Sequence, residues 1–239
     1  AGQQAQLVAL SLFPAPFFAA GAALLWEGEQ PADEAALAAV SRKLAVFTQR
    51  SLLRVDNFFT DSDRPATWRF DPAVQRTLQR RLPDYAPADL DSRYATYAAW
   101  LVNYAYDEIG RSAAIAQLVQ QWLDELERLA TLQPDEQRVR YCWQLSVLLR
   151  RYGRIDQALD VLALGEQAGA EHPLYSRLLQ AKAELLVIRG ELDDALRLYE
   201  QCIKLNTGPD EEGERSVNLN SMANVYVTRG DLEGALALY

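Results

Sequence analysis

The chain has 239 residues, 49% apolar and 24% charged, with a formal net charge of −9. This is the composition of a folded chain long enough for one large domain or two small ones, and its acidity argues against phosphate-backbone binding as the main task. Two cysteines, Cys142 and Cys202, and one histidine, His172, exclude a disulfide framework, a Cys/His zinc site, and any Ser-His or Cys-His machinery that does not run through His172. Charge is uneven: residues 1–82 hold 9 Lys/Arg and 8 Asp/Glu, a net of +1, whereas 83–239 hold 15 and 25, a net of −10. That step marks two unlike parts.

Leu7–Trp26 is long enough to cross a bilayer, and no charged side chain precedes Glu27. Pro14-Ala15-Pro16 interrupts it, and no Lys or Arg comes before Arg42, so the basic start of an export signal is missing. The expectation is a pair of buried helices around a proline turn, no membrane segment, and a cytoplasmic protein, which two unpaired cysteines fit.

In chain order, Gly2–Leu12 reads as an apolar helix ended by Pro14, and Phe17–Leu25 as a second short apolar helix. Asp33–Gln49 is a third, with Leu37, Val40, Leu44 and Phe47 on one face. Leu52–Phe58 and Thr67–Phe70 flank the turn-rich Thr60–Pro65 and predict a β-hairpin. Asp71-Pro72 caps a helix over Ala73–Leu82. Asp89–Ile109, with Tyr94, Tyr97, Leu101 and Tyr104 on one face, and Ala113–Leu132, with Ile115, Leu118, Trp122, Leu126 and Leu129, form a helical hairpin about Gly110-Arg111-Ser112. Its aromatics are read as core packing. Hinges are expected at Pro83–Pro87 and Gln133–Asp135.

The last hundred residues repeat. Gly153, Gly190 and Gly230 stand 37 and 40 residues apart. Seven residues before each is a small residue (Ser146, Ala183, Ala223), five after each an alanine (Ala158, Ala195, Ala235), and four further on a bulky one (Leu162, Tyr199, Tyr239). A glycine ends one helix at a sharp turn, an acid (Asp156, Glu191, Asp231) suits the next helix start, and small residues let the two helices approach. Such pairs cannot bury their apolar faces alone and stack into a solenoid.

These residues resemble the tetratricopeptide repeat (TPR) over about 138–239, with Gly165 standing where the family has a late alanine. The third repeat stops at Tyr239, inside its second helix, and the chain reads as a fragment of a longer protein. The order helix, helix, helix, hairpin, helix before residue 82 is that of a winged helix. The wording resembles the winged helix of the signal-transduction ATPases with numerous domains (STAND): Leu10-Ser11-Leu12-Phe13-Pro14, Ser51-Leu52-Leu53 and Arg69-Phe70-Asp71-Pro72-Ala73-Val74. In that family a histidine in the last segment reaches the nucleotide phosphates. Asp71 stands here instead, and a carboxylate repels a phosphate, so an N-cap is the expectation for it.

The expected fold is therefore mainly α: a winged helix with a small β-hairpin over 1–82, a helical-hairpin linker over 83–137, and an α-α superhelix of TPR repeats over 138–239. No enzyme is expected. No G-x-x-x-x-G-K-[ST] loop exists, since Glu214 follows Gly208–Gly213 where a lysine is needed. No cofactor or metal is expected; His172 is read as a solvent-facing loop residue, and Asp210–Glu214 lacks calcium-loop spacing.

The resemblance implies that the first helix of each pair lines a peptide groove. Its positions fall on Arg140, Trp143, Val147 and Arg150, then Arg177, Gln180, Glu184 and Val187, then Val217, Asn220, Asn224 and Val227. The Asn220 and Asn224 amides offer donors and acceptors to an extended backbone, and Arg140, Arg150 and Arg177 an anion-attracting wall. The resemblance implies a ligand-sensing, regulatory region of a cytoplasmic STAND-type ATPase that binds a peptide or protein, with the nucleotide-binding domain upstream. The alternatives are a DNA-reading winged helix with a TPR sensor, and a plain scaffold. DNA is disfavoured because the reading segment, Asp33–Lys43, begins with two acids and holds no Asn or Gln.

Overall fold

A computed structural model describes residues 2–56, 66–206, 208 and 211–238. The centre of the expected hairpin turn, Thr60–Pro65, and Tyr239 lie outside the described residues. The chain divides into two compact units, Ala1–Gln133 and Pro134–Tyr239.

In the first unit, α1 (Gly2–Leu10) buries Leu7, Val8, Ala9 and Leu10. Leu7–Trp26 is not one span: Pro14-Ala15-Pro16 separates α1 from a short strand β1 (Phe17–Phe18) and from α2 (Ala19–Glu27). No described helix is long and apolar enough to cross a membrane. The expected helix over Phe17–Leu25 thus begins as a strand, because both phenylalanines pair with the hairpin. Helix α2 ends at Gly28, whose φ of 80° lets its N–H reach the Leu24 carbonyl at 2.9 Å. Helix α3 (Glu34–Gln49) is capped by Asp33, which accepts from the Ala36 N–H at 2.7 Å, and buries Val40, Leu44 and Phe47.

Strands β2 (Leu53–Asp56) and β3 (Thr67–Phe70) are antiparallel, and β1 joins them in the order β1-β3-β2, with Phe17 opposite Trp68 and Val55 opposite Trp68 on the other side. Helix α4 (Pro72–Gln79) starts at Asp71, whose carboxylate accepts from the Ala73 N–H at 2.9 Å. It stops at Gln79, short of the expected Leu82; the chain turns at Arg80–Arg81 and a single turn, α5 (Leu82–Tyr85), follows with Pro83 in its first turn.

Helices α6 (Leu90–Glu108) and α7 (Ala113–Ala130) form the expected hairpin, α7 capped by Ser112. They are not a separate linker, however. Phe13 packs against Tyr94, Tyr97 and Trp122 at 4.9 to 5.9 Å between ring centres. The irregular Ser11–Pro16 segment cannot satisfy its own carbonyls. Tyr94 Oη donates to Leu12, Trp122 Nε1 to Pro16 at 2.8 Å, and the α4 amides of Gln75 and Gln79 to Ser11 and Phe13. The two helices therefore complete the core of residues 1–82, and the compact unit runs to Gln133 instead of stopping at 82.

The second unit is three helix pairs: α8 (Asp135–Arg151) with α9 (Ile155–Gln167), α10 (Tyr175–Arg189) with α11 (Leu192–Leu205), and α12 (Glu212–Arg229) with α13 (Leu232–Leu236). Gly153, Gly190 and Gly230 make the turns at φ of 72°, 83° and 82°. Ser146, Ala183, Ala223, Ala158, Ala195 and Ala235 are all buried between helices, as are Leu162 and Tyr199. Of the three acids that follow the turns, only Asp231 caps with its side chain, accepting from the Gly234 N–H at 2.9 Å. Glu191 pairs with Arg189 instead. Successive pairs are clamped by one recurring ion pair: the arginine before the turn glycine reaches the acid that starts the preceding second helix, Arg189 to Asp156 and Arg229 to Asp193. Gly165 is buried against α8 and α10, where a Cβ would stand 2.4 Å from Leu178 Cδ1 and 2.9 Å from Cys142 Cβ. The departure from the repeat's alanine is thus a matter of space.

Candidate peptide-binding face

Helices α8, α10 and α12 are the first members of their pairs, and side chains join them in series. Arg177 on α10 lies over the Trp143 ring of α8, its guanidinium carbon 5.7 Å from the ring centre. The same guanidinium donates through Nε and Nη2 to Glu214 Oε1 on α12, at 3.0 and 2.6 Å. Arg150 on α8 pairs with Glu184 on α10, and Gln180 Nε2 donates to the other oxygen of Glu184 at 3.4 Å. Trp143, Arg150, Arg177, Gln180 and Glu184 therefore share one face.

This arrangement corrects the expected anion-attracting wall. Arg150 and Arg177 are already paired with carboxylates. Of the three arginines, Arg140 on α8 stands exposed and outside these two pairs. The residue missed was Glu214. It lies three before Val217, on the same side of α12, and extending the groove spacing back one turn finds it.

On α12, Val217, Asn220, Asn224 and Val227 follow one another at helical spacing and all are exposed. Val217 and Val227 are 50% and 46% accessible and Val147 on α8 is 37%, whereas Val187 is half-buried. Exposed valines beside carboxamides can hold a peptide by its backbone and its apolar side chains.

Both cysteines are buried; burial pushes the Cys142 thiol up to about 12 and the Cys202 thiol up to about 11, and the latter donates to the Ser176 carbonyl. Neither is a thiolate near neutrality. Tyr199, under the face, is pushed up to about 12 by burial and the charge of Glu184. His172 is half-buried, not a free loop residue: its Nδ1 accepts from the Leu174 N–H at 3.0 Å. Among the described residues no group of three His, Cys, Asp or Glu could hold a metal ion.

No family matches. Neither a protein-family model nor a curated protein corresponds to this chain. Among solved structures, BtubC (BKLC) from P. vanneervenii is similar at 13% identity and a TM-score of 0.51, over 85% of this chain and 74% of that one. Nearly identical TPR-like repeats assigned to a kinesin light chain of Podosopora anserina give 17% identity and a TM-score of 0.48, over 70% and 80%. A STAND protein with a tetratricopeptide repeat sensor from Pyrococcus horikoshii gives 11% and 0.41, over all of this chain and 43% of that one. At such identities the likeness to BtubC speaks for the fold alone, a mainly helical chain with stacked helix pairs.

Proposed function

We propose that the second unit is a TPR-type interaction module taking a peptide or protein partner on the face of α8, α10 and α12. In the same reading the chain is the ligand-sensing, regulatory region of a cytoplasmic STAND-type signalling ATPase, with a nucleotide-binding domain upstream. The observation that carries the interaction reading is the α12 stripe, where two valines and two asparagines stand exposed on one side of a helix. A helix keeps apolar side chains in water at a cost, and such a stripe beside amides suits a polypeptide.

The reading of the first unit as a winged helix draws on element order, α1-β1-α2-α3-β2-β3, on the sheet order β1-β3-β2, and on the three sequence segments named above. Asp71 is spent on capping α4 and on a 3.4 Å contact with Arg54, which fits a unit that does not donate to a phosphate through that residue. DNA reading is not favoured, since α3 opens with Asp33 and Glu34.

The test is site-specific photocrosslinking in cells, with the reactive residue at Asn220 or, as a control, at exposed Gln201 on α11. Discrete adducts from position 220 and none from 201 are expected. Equal labelling from both would remove the interaction reading of this face.

A further inference from the structure

We infer that a cavity in the first unit binds a flat, uncharged heteroaromatic ring that carries a hydrogen-bond donor beside an acceptor. Helix α1 packs against both α2 and α5. It presents Ala5 and Ala9 one turn apart, and over these two small side chains lies a hollow of about 370 Å³. Its walls include Trp26 at the end of α2, Tyr85 of α5 and Pro87 just beyond. The hollow is separate from Asp71: no residue of Arg69–Val74 lines it. A volume near the lower end for ligand pockets suits one ring system, not a long chain.

The walls favour a neutral ring. Trp26 and Tyr85 are both half-buried. Trp26 is held by its edge, its Nε1 donating to the Gln6 carbonyl at 2.9 Å, which leaves ring surface for stacking. Lys43 stands over Trp26, 5.8 Å from the ring centre, and the Arg81 guanidinium over Tyr85, 5.1 Å from its ring centre. Neither cation lines the hollow, so each acts on its ring from outside. A ring already polarised by one cation attracts a second poorly and still stacks on a flat neighbour. The two charged groups in the lining have partners. Arg93 donates to Asp89 and to the Leu25 and Trp26 carbonyls, and Asp84 lies 3.8 Å from Arg81. The Gln6 side-chain amide differs: it is half-buried, lines the hollow and makes no hydrogen bond among the described residues. A carboxamide sets an N–H beside a carbonyl, and a ring edge with an acceptor beside a donor completes both.

The experiment labels the full chain with 5-fluorotryptophan, assigns the Trp26 fluorine signal through W26F, and titrates uracil and cytosine. The controls are 1,3-dimethyluracil, which keeps the ring and loses the N–H donors, and choline, a cation for an aromatic wall. Uracil and cytosine should move the Trp26 signal saturably, and dimethyluracil should bind about fivefold more weakly. Q6A should weaken uracil by about the same factor and leave dimethyluracil unchanged. A5L, which fills the hollow from α1, should remove the response to both. No shift with either base up to about 10 mM would overturn the inference. So would choline binding as tightly as uracil, equal affinities for uracil and dimethyluracil, or uracil binding indifferent to Q6A.

Discussion

The tightest point in the repeat array is Gly165, and replacing it with the alanine of the repeat pattern is expected to destabilise the second unit. On a solvent-exposed helix, Gly→Ala gains about 1 kcal/mol. Here the new Cβ would stand 2.4 Å from Leu178 Cδ1 and 2.9 Å from Cys142 Cβ. Ordinary carbon contacts begin near 3.5 Å, so Leu178 must retreat by about 1.1 Å and Cys142 by about 0.6 Å. Both neighbours are fully buried and sit on different helices, α10 and α8. One side-chain rotation cannot relieve both. Overpacking of this kind costs about 1–3 kcal/mol and more where backbone must move; set against the propensity gain of about 1 kcal/mol, the net loss reaches about 2 kcal/mol. Hydrogen exchange on the full chain reads this locally: protection of α8, α9 and α10 should fall in G165A, by up to about thirtyfold. On α12 a Cβ at Gly213 would have nothing within 4 Å, so G213A should hold or raise protection. Equal or greater protection in G165A would refute the steric account.

Four further outcomes are expected. G21A drives a Cβ to 2.6 Å from the buried Tyr97 ring and should lower the thermal midpoint and the near-ultraviolet dichroism of the aromatic core. W122F leaves the Pro16 carbonyl without its 2.8 Å donor and should cost about 1–3 kcal/mol in urea unfolding. Above pH 9 the buried thiols destabilise the fold: they ionise from 9.0 when unfolded but only near 12 (Cys142) and 11 (Cys202) when folded, so stability is full below pH 9 and is lost as pH rises through that window, by at most about 1.4 kcal/mol per unit and thiol. The C142A/C202A variant should show a shallower fall of urea midpoint between pH 8 and 10.5, within the range these shifts set. Finally, a double-mutant cycle on Arg177 and Glu214 should give a coupling below about 1 kcal/mol that vanishes in 1 M salt.

The sequence by itself determined the local elements whose cause is local. Turn glycines, the small residues seven before them and the alanines five after are set by spacing along one helix pair, and these positions can be read from one chain of letters. The Asp33 and Asp71 caps are likewise written within three residues of the backbone they satisfy. Tertiary structure alone decided the rest. Phe17–Phe18 has no alternation long enough to announce a strand, and becomes one because β3 offers it a partner. The hairpin of α6 and α7 belongs to the first unit because distant Trp122 and Tyr94 supply donors to carbonyls that Pro14 and Pro16 leave stranded. The arginines expected to meet a ligand meet glutamates 34 and 37 residues away instead. Charge compensation depends on which helices lie side by side, and no spacing within a single helix records that.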